Sequence, residues 1–485
     1  MRRWLWLLVL AVTLAVWMPV LTYGWVETWD DKAFILANPH VRAWSWVWMA
    51  TTQWYGHWMP LTWLSFSANY ALFGFTPVSW HAVNLGLHAS SAVLFYFIAR
   101  RLVGSVGGAV VAALLFSIHP LRMESVAWIT ERKDVLMGVF FLSATLLWIR
   151  GQRWWSFAAF IAACASKSPA VVLPVMLLAL EWYRCEDRRQ RLRAYVRPLA
   201  PFFAVSAVVS VMAFWSLHTI LVSVPWSQVP LGPRLLHVAY SNVFYVLQTA
   251  WPARLSALIE YTWVPSWNQP EYPIAVALVL LASWLLWRTR QRWPALAAAA
   301  IAYTVAVFPQ AGLFANGPQL VANRYSYLAT LPLALLLGGA FTLVFRRWPR
   351  ASACGATAMI GTLALVTLVN LPMWRNGDAL WQYAALHEPT CTQCQDMATA
   401  ADMRRGDYAS AIRRQRQAIR ISDTTLVPRF ERHWNLAGLL LMNGQPEEAR
   451  REISVYLTLA PETATHVDHI RRARNALAQL DAGAR

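Results

Sequence analysis

Residues 102–149 read LVGSVGGAVVAALLFSI (102–118), HPLRMESVAWITERKD (119–134) and VLMGVFFLSATLLWI (135–149). Two apolar runs of 17 and 15 residues without a charge flank a turn that holds six. An uncharged run of that length satisfies its backbone as a helix in hydrocarbon. The six charges between two such helices need partners or a ligand. The pattern predicts two membrane helices joined by a loop that carries chemistry.

Working outward, similar runs recur from Leu5 to Leu371 in a chain of 485 residues that is 58% apolar. Spans are expected near 4–23, 80–99, 102–118, 135–149, 153–166, 168–183, 198–218, 272–287, 294–309, 326–345 and 352–372. The first follows Arg2 and Arg3, lacks a small-x-small cleavage site after it, and reads as an uncleaved anchor. With the N-terminus inside, the loops holding Arg100/Arg101, Arg150/Arg153, Arg184 to Arg197, Arg288/Arg290/Arg292 and Arg346/Arg347/Arg350 all fall on the cytoplasmic side, as the positive-inside rule requires. Residues 235–252 are apolar enough for a twelfth span. Counting them would move Arg288–Arg292 outside, and the segment carries His237, Ser241, Asn242 and Gln248. It is expected to be an interfacial or re-entrant helix. The expectation is an all-α polytopic protein of about eleven transmembrane helices. The net charge of +18 lies largely in these short loops and in the C-terminal segment. With no basic-aromatic motif present, a nucleic-acid partner is excluded.

This topology gathers residues 24–79, 119–134, 167–169, 219–271, 310–325 and everything after 373 on the external face. Asp30 and Asp31 stand there side by side at the mouth of a loop (24–79) rich in tryptophan: Trp25, Trp29, Trp44, Trp46, Trp48, Trp54, Trp58, Trp63 and Trp80. Two like charges at a membrane surface point to catalysis or ligand binding. The tryptophans are expected to form an interfacial belt, with amphipathic helices through 41–70 lying on the bilayer. Of 42 basic residues only Lys32, Lys133 and Lys167 are lysine, and all three fall in external loops. A compact ammonium differs from a guanidinium in hydration and geometry, so these positions are candidates for function. Arg122, Arg132, Lys133, Lys167 and Arg324 are candidates to bind a phosphate, with Glu124 and Glu131 orienting them. Asp134 reads as an N-cap of the following helix, His119-Pro120 as a helix stop or a site, and Arg324 as a phosphate ligand or a residue that snorkels to headgroups.

After residue 373 the composition turns polar. Gly406-Asp-Tyr-Ala-Ser-Ala411 and the series Leu436, Ala437, Gly444, Ala449, Pro461 fit tetratricopeptide repeats, with Trp381 in a half repeat. Such helix pairs cannot bury their faces singly, so the array is expected to pack on itself or on the membrane domain, with its groove as a protein-binding surface. The domains are read as 1–373 and 374–485. Cys391-Thr-Gln-Cys394 reads as a structural pair rather than a redox centre. No His/Cys cluster with metal-ligand spacing and no phosphate-binding glycine loop appears, so no residue is assigned to a metal and no cofactor is fixed, and the sequence leaves open whether a divalent ion assists.

Trp29-Asp-Asp-Lys-Ala-Phe34, Pro60-Leu-Thr-Trp-Leu-Ser65, Leu72-Phe-Gly74, His81-Ala-Val-Asn84, the block from His119 to Leu136, Ser166-Lys167, Asn323-Arg-Tyr-Ser-Tyr327 and the repeats together resemble the transmembrane and tetratricopeptide-repeat O-mannosyltransferases and their bacterial relatives, members of the GT-C class. The resemblance implies a GT-C-like membrane domain in a bacterial cytoplasmic membrane and an external repeat domain that meets an acceptor protein. It also implies a sugar donor carried on a polyprenyl phosphate and a catalytic aspartate in the first external loop, at Asp30 or Asp31. Where the family pattern has Trp-His-Pro this chain has Trp58-Met-Pro60, and Asn69 and Asn323 stand where aspartates are expected. On this reading one aspartate deprotonates an acceptor hydroxyl, the other orients the acceptor, and the anomeric centre inverts; Asp31 pairing with Lys32 would leave Asp30 as the base. The rival readings are a non-catalytic scaffold, a GT-C enzyme with a lipid or glycan acceptor, and a transporter. The span centres, nearly free of ionisable residues, argue against the last.

Overall fold

The structure, a computed structural model, describes residues 4–185, 188–219, 226–260, 264–314, 319–422, 430–461 and 467–483. Arg2 and Arg3, on which the placement of the N-terminus leans, lie outside them. The chain is almost entirely helical and divides into two compact units. One comprises residues 1–255, 265–317 and 321–377; the other comprises 256–264, 318–320 and 378–485.

The main helices of the first unit are α1 (Leu5–Trp17), α2 (Pro60–Phe73), α3 (Pro77–Val103), α4 (Val106–Ile118), α5 (Arg132–Ile149), α6 (Arg153–Ser166), α7 (Leu173–Arg184), α8 (Arg188–Thr219), α9 (Leu231–Ala250), α10 (Glu271–Thr289), α11 (Pro294–Val307), α12 (Ser326–Arg347) and α13 (Pro349–Asn370). A helix stands at each expected span. Six helical segments among the described residues are long and apolar enough to cross a bilayer: Leu5–Thr22, Pro77–Val103, Ala194–Ser216, Glu271–Thr289, Asn323–Arg347 and Pro349–Trp374. A seventh follows if Val106–Ile118 and Pro120–Ala127, bent by 50°, form one broken span. The protein is thus a multi-pass membrane protein. The count by length and composition falls short of eleven because α5 opens on three charged residues and α6, α7 and α11 have only 12–14 residues.

Small residues set the helix packing. A Cβ on Gly108 of α4 would lie 2.5 Å from the Gly338 carbonyl of α12, and one on Gly338 would lie 2.4 Å from the Gly108 carbonyl. The paired glycines bring two backbones together in the manner of small-residue membrane interfaces. The α4 helix ends where it must. Pro120 disfavours a helical His119, which turns extended, and the chain re-enters helix on a new axis.

One expectation is corrected here. The tryptophan-rich loop is not a belt on the bilayer: Trp63 and Trp80 have no exposed surface and pack with Phe34, Met49, Met59 and Phe66 in a small aromatic core, although Trp46 is 60% exposed. Its helices are short pieces, Pro39–Arg42 and Trp46–Thr51, before α2. The α9 helix, expected to be interfacial or re-entrant, is not among the described segments long and apolar enough to cross a bilayer, and its polar face turns inward. Arg234, His237, Ser241 and Gln248 are buried, with Arg234 donating to the Leu313 carbonyl at 3.0 Å and Ser241 to that of Ala311 at 3.2 Å, while Leu235 and Leu247 face outward.

The helices of the second unit are α14 (Gly377–His387, whose first residue belongs to the first unit), the pairs α15/α16 (Thr392–Arg404, Tyr408–Ser422) and α17/α18 (Glu431–Met442, Pro446–Leu459), and α19 (Val467–Gly483). Each pair turns on a glycine with positive φ, Gly406 (75°) and Gly444 (74°), a conformation that favours glycine. The array buries its faces on itself: Ala411, Ile412, Leu436, Leu440, Ala449, Ile453, Tyr456 and Ala473 form one core. Cys391 and Cys394 form a disulfide that is buried at the start of α15. This is the helix–turn–helix arrangement of a tetratricopeptide array.

Candidate functional site

Asp30 and Asp31 open a helical turn that widens over Lys32–Leu36, where the Ala37 N–H reaches back to the Lys32 carbonyl at 2.8 Å. Adjacent in sequence, the two carboxylates have opposite surroundings. Asp31 has no exposed surface. One oxygen accepts the Val26 N–H at 2.8 Å; the other accepts the Thr130 N–H at 3.0 Å and the Thr130 hydroxyl. It therefore staples the first loop to the 119–134 block. Lys32 is exposed and makes no ion pair with it among the described residues, which corrects the expected Asp31–Lys32 pair. Asp30 is only half-buried.

Burial pushes the Asp31 carboxyl up to about 6, against the three hydrogen bonds that favour its charge. The folded state thus binds a proton more readily than the unfolded chain between about pH 4 and 6, and stability falls as pH rises through that window. Wild-type protein in detergent is expected to gain stability on going from pH 7.5 to 5. The Asp31→Asn variant is expected to lose most of that slope, about 1.4 kcal/mol between the two pH values. Thermal midpoints at the two pH values measure it, and an unchanged slope in the variant would contradict the assignment.

The 119–134 block folds as two short turns, Pro120–Arg122 and Ile129–Glu131, around the helical stretch Met123–Ala127. It points its charges inward. Glu131, 1% exposed, receives Lys133 at 3.1 Å, Lys167 at 3.0 Å and the Arg324 Nε at 3.6 Å. Lys167 also donates to Asp134 at 2.6 Å, and Asp134 accepts the Ser125 hydroxyl at 3.1 Å. Arg324 pairs with Glu124 through its side chain and donates its backbone N–H there at 2.9 Å. Three carboxylates and three cations, matched in number, close into a buried network, and such pairing is the condition under which burying them is tolerable. Burial works to raise Glu131, but Lys133, Lys167 and Arg324 override it and hold the carboxyl well below the usual range. Burial likewise opposes the Lys167 charge, and Asp134 and Glu131 outweigh it and raise its pKa.

The chain delivers these groups from three breaks in helix. Lys167 sits in an extended residue between α6 and the turn Ser168–Val172, which begins Ser168-Pro169. Arg324 lies in the single turn Asn323–Tyr325 ahead of α12. Asp30 comes from the first loop and feels the charges of Lys133, Glu131, Arg324 and Lys167. Burial raises its carboxyl, and Lys133 works against that rise.

The other expected residues separate. Arg132 is consumed by structure: it donates to the Asn84 side chain at 2.8 Å and the Trp80 carbonyl at 2.9 Å and lies over the Trp80 ring at 4.9 Å, so the geometry shows a brace between helices rather than a phosphate ligand. Arg122 bonds the Ser326 hydroxyl and faces Phe116 and Tyr327, and its Nε and Nη1 have no partner among the described residues. Asp134 is an ion-pair partner, not a helix cap. Arg324 does not snorkel. His119 serves as the helix stop, with its ring bonded to the Thr249 carbonyl at 3.0 Å. Of the three lysines, Lys133 and Lys167 enter the network and Lys32 does not. Sequence reasoning missed Thr130, whose two donors hold Asp31, and His57, which feels the same four charged groups as Asp30. An aromatic wall lies beside Lys133 and Arg324, which are 5.8 and 5.7 Å from the Trp128 ring: Trp29 lies 4.4 Å from Trp128, and Trp128 stacks on Trp374 at 5.9 Å.

No family model matches the chain. It is 33% identical over 152 residues to protein O-mannosyl-transferase Tmtc1 of Drosophila melanogaster, covering 29% of this chain and 17% of that protein. It is 36% identical over 145 residues to Tmtc2 of the same fly, covering 27% of this chain and 16% of the relative. Over 91 residues it is 41% identical to TMTC2 of Homo sapiens, 19% of this chain and 11% of that protein. The match thus spans 17% or less of these relatives' own length. Among solved structures, the crystal structure of ArnT from Cupriavidus metallidurans bound to undecaprenyl phosphate aligns over 94% of this chain and 81% of its own, at a TM-score of 0.36 and 17% identity. The resemblance carried by the motifs is therefore found in sequence as well: the chain is similar to protein O-mannosyl-transferases.

Proposed function

We propose that the protein is a membrane glycosyltransferase that moves a hexose from a polyprenyl-phosphate carrier to a hydroxyl of an acceptor protein. The observation that carries this reading is the contrast between two neighbouring carboxylates. Asp31 is buried and fully bonded, whereas Asp30 keeps open surface beside a fixed network of cations. Similarity to O-mannosyl-transferases supports the reaction class.

Asp30 takes the proton of the acceptor hydroxyl as general base. The acceptor oxygen attacks C1 of the sugar, the bond from C1 to the phosphate oxygen breaks, and the configuration inverts. Polyprenyl phosphate leaves with the electron pair. Its growing charge is met by Lys133, which has a single carboxylate partner among the described residues, and by Lys167, which spends two N–H groups on carboxylates among them. Donors fixed in place before the reaction stabilise that charge without reorganisation. Asp31 acts at one remove: it holds Asp30 in register with the 119–134 block. Glycopeptide mass spectrometry of envelope proteins from cells with and without the gene tests the proposal. Hexose on Ser or Thr that disappears with the gene supports it; an unchanged glycopeptide set overturns the protein acceptor.

The reading places the site and the repeat unit on the external face of a bacterial cytoplasmic membrane. The Cys391–Cys394 disulfide supports this, because disulfides persist in oxidising compartments. In spheroplasts, an impermeant maleimide is expected to label Ala409→Cys in the repeats without permeabilisation, and Gln291→Cys in the arginine-rich loop only after it. The reverse pattern would invert the topology.

A further inference from the structure

The segment Trp54-Tyr-Gly-His57 closes a tight hairpin. Trp54 and His57 exchange both backbone hydrogen bonds at 3.0 Å, and Tyr55 and Gly56 have φ of 47° and 79°. Two positive φ values at the central positions make a type I′ turn, which suits Gly56 and strains Tyr55. Strain in a non-glycine residue persists only where the surroundings over-determine it. Here three stacked rings do so: Tyr55 on Phe34 at 5.5 Å and 30°, and Phe34 on Trp63 at 5.7 Å and 15°. The Trp58 indole, donating to the Ala50 carbonyl at 2.8 Å, fixes the strand beyond.

This rigid mount carries the His57 ring, 6.2 Å from Phe34, whose other neighbours include the Lys133 ammonium at 5.2 Å. The charged groups acting on His57 are Lys133, Lys167, Glu131 and Arg324, the same four that act on Asp30. Histidine and aspartate, both from the first loop, therefore lie within electrostatic reach of the same cations, and Phe34 neighbours both His57 and Lys133. Neither ring nitrogen of His57 has a hydrogen-bond partner among the described residues, and the residue is only half-buried. Burial, with Lys133 and Lys167 adding to it, pushes the imidazole down to about 3, so the ring is neutral at pH 7. A neutral imidazole has one N–H donor and one acceptor nitrogen, which suits a hydroxyl and gives no charge to hold an anion.

We propose that His57 binds a hydroxyl of the lipid-linked hexose, with the exposed Tyr55 ring beside it as an apolar wall, while the phosphate of the same donor lies on Lys133 and Lys167. This rests on the glycosyltransferase reading above and adds to it a sugar subsite on the strained turn. Sugar and phosphate are one bond apart, so a group that shares the cation network with Asp30 but carries no charge falls on the sugar side.

The test is lipid binding to the purified full chain in nanodiscs, using undecaprenyl phosphate and its mannose and glucose conjugates as probes. Wild type is expected to bind at least one conjugate more tightly than the sugarless lipid. His57→Phe is expected to erase that increment, about tenfold, while binding undecaprenyl phosphate within twofold of wild type. His57→Gln, which keeps a donor and an acceptor, is expected to retain most of it. Should His57→Phe not give folded protein, His57→Ala reads the same increment. An increment unchanged in His57→Phe, or equal weakening of both lipids, overturns the sugar subsite while leaving the enzyme reading intact. A wild-type protein that binds the sugarless lipid but gains nothing from either sugar overturns it as well. No saturable binding of any probe overturns both.

Discussion

Replacing Asp30 by Asn is expected to lower the rate of hexose transfer on the order of a thousandfold, the usual cost of losing a positioned general base. The substitution keeps the size of the side chain and removes only its ability to take a proton. Among the described residues Asp30 makes no side-chain hydrogen bond, in contrast to Asp31, so the variant is expected to fold and to bind the lipid donor as wild type does. The pH profile follows from the same surroundings. Burial raises the Asp30 carboxyl above its ordinary value, with Lys133 opposing. The base works only when ionised, so activity falls as pH drops through that raised value, and the acid limb lies above that of a free aspartate near 3.9. Initial rates of transfer from a polyprenyl-phosphate hexose, from pH 4 to 8, check both points. An acid limb unchanged in Asp30→Asn would assign the titration to another group.

Replacing Lys167 by Met is expected to cost about 3–5 kcal/mol of stability, because it strands buried carboxylates rather than merely removing a contact. Lys167 lies 2.6 Å from Asp134 and 3.0 Å from Glu131, all three nearly free of solvent. Without the ammonium, Asp134 keeps the Ser125 hydroxyl and the more distant charge of Arg122 among the described residues, and no cation in direct contact. The double variant Lys167→Met/Asp134→Asn restores the charge balance and is expected to recover about half of the loss or more. Urea or thermal unfolding of the four proteins in one detergent gives the coupling. Additive losses would show that the pair is not a unit. Restored stability need not restore transfer, since the proposed mechanism uses the Lys167 charge at the phosphate.

Much of this arrangement was legible in the residues, for identifiable reasons. Apolar runs separated by arginine loops located the helices, because the hydrocarbon demands length and the loops demand charge. The boundaries were harder: α5 begins at Arg132, inside what read as a loop, since its first three charged residues are paired rather than solvated. The six charges of residues 119–134 announced a site. Their roles were not legible, because role depends on partners far along the chain. Arg132 and Lys133 are neighbours, yet Arg132 faces Asn84 and Trp80 while Lys133 faces Glu131. Asp30 and Asp31 were likewise indistinguishable until Thr130, 99 residues on from Asp31, claimed one of them. The tryptophans misled for a related reason. An aromatic run beside a membrane looks the same whether it faces lipid or, as with Trp63 and Trp80, packs a loop upon itself. His57 had no motif to mark it; only the hairpin that brings it toward Lys133 does so.

The proposed reaction is tested most directly by incubating the purified protein with undecaprenyl-phosphate mannose and a Ser/Thr-rich envelope protein, and following the release of undecaprenyl phosphate. Acceptor-dependent release is expected from wild type and not from Asp30→Asn, with the hexose recovered on the acceptor in inverted configuration. Release at the same rate from both proteins, or recovery of the retained configuration, would contradict a single displacement with Asp30 as the base.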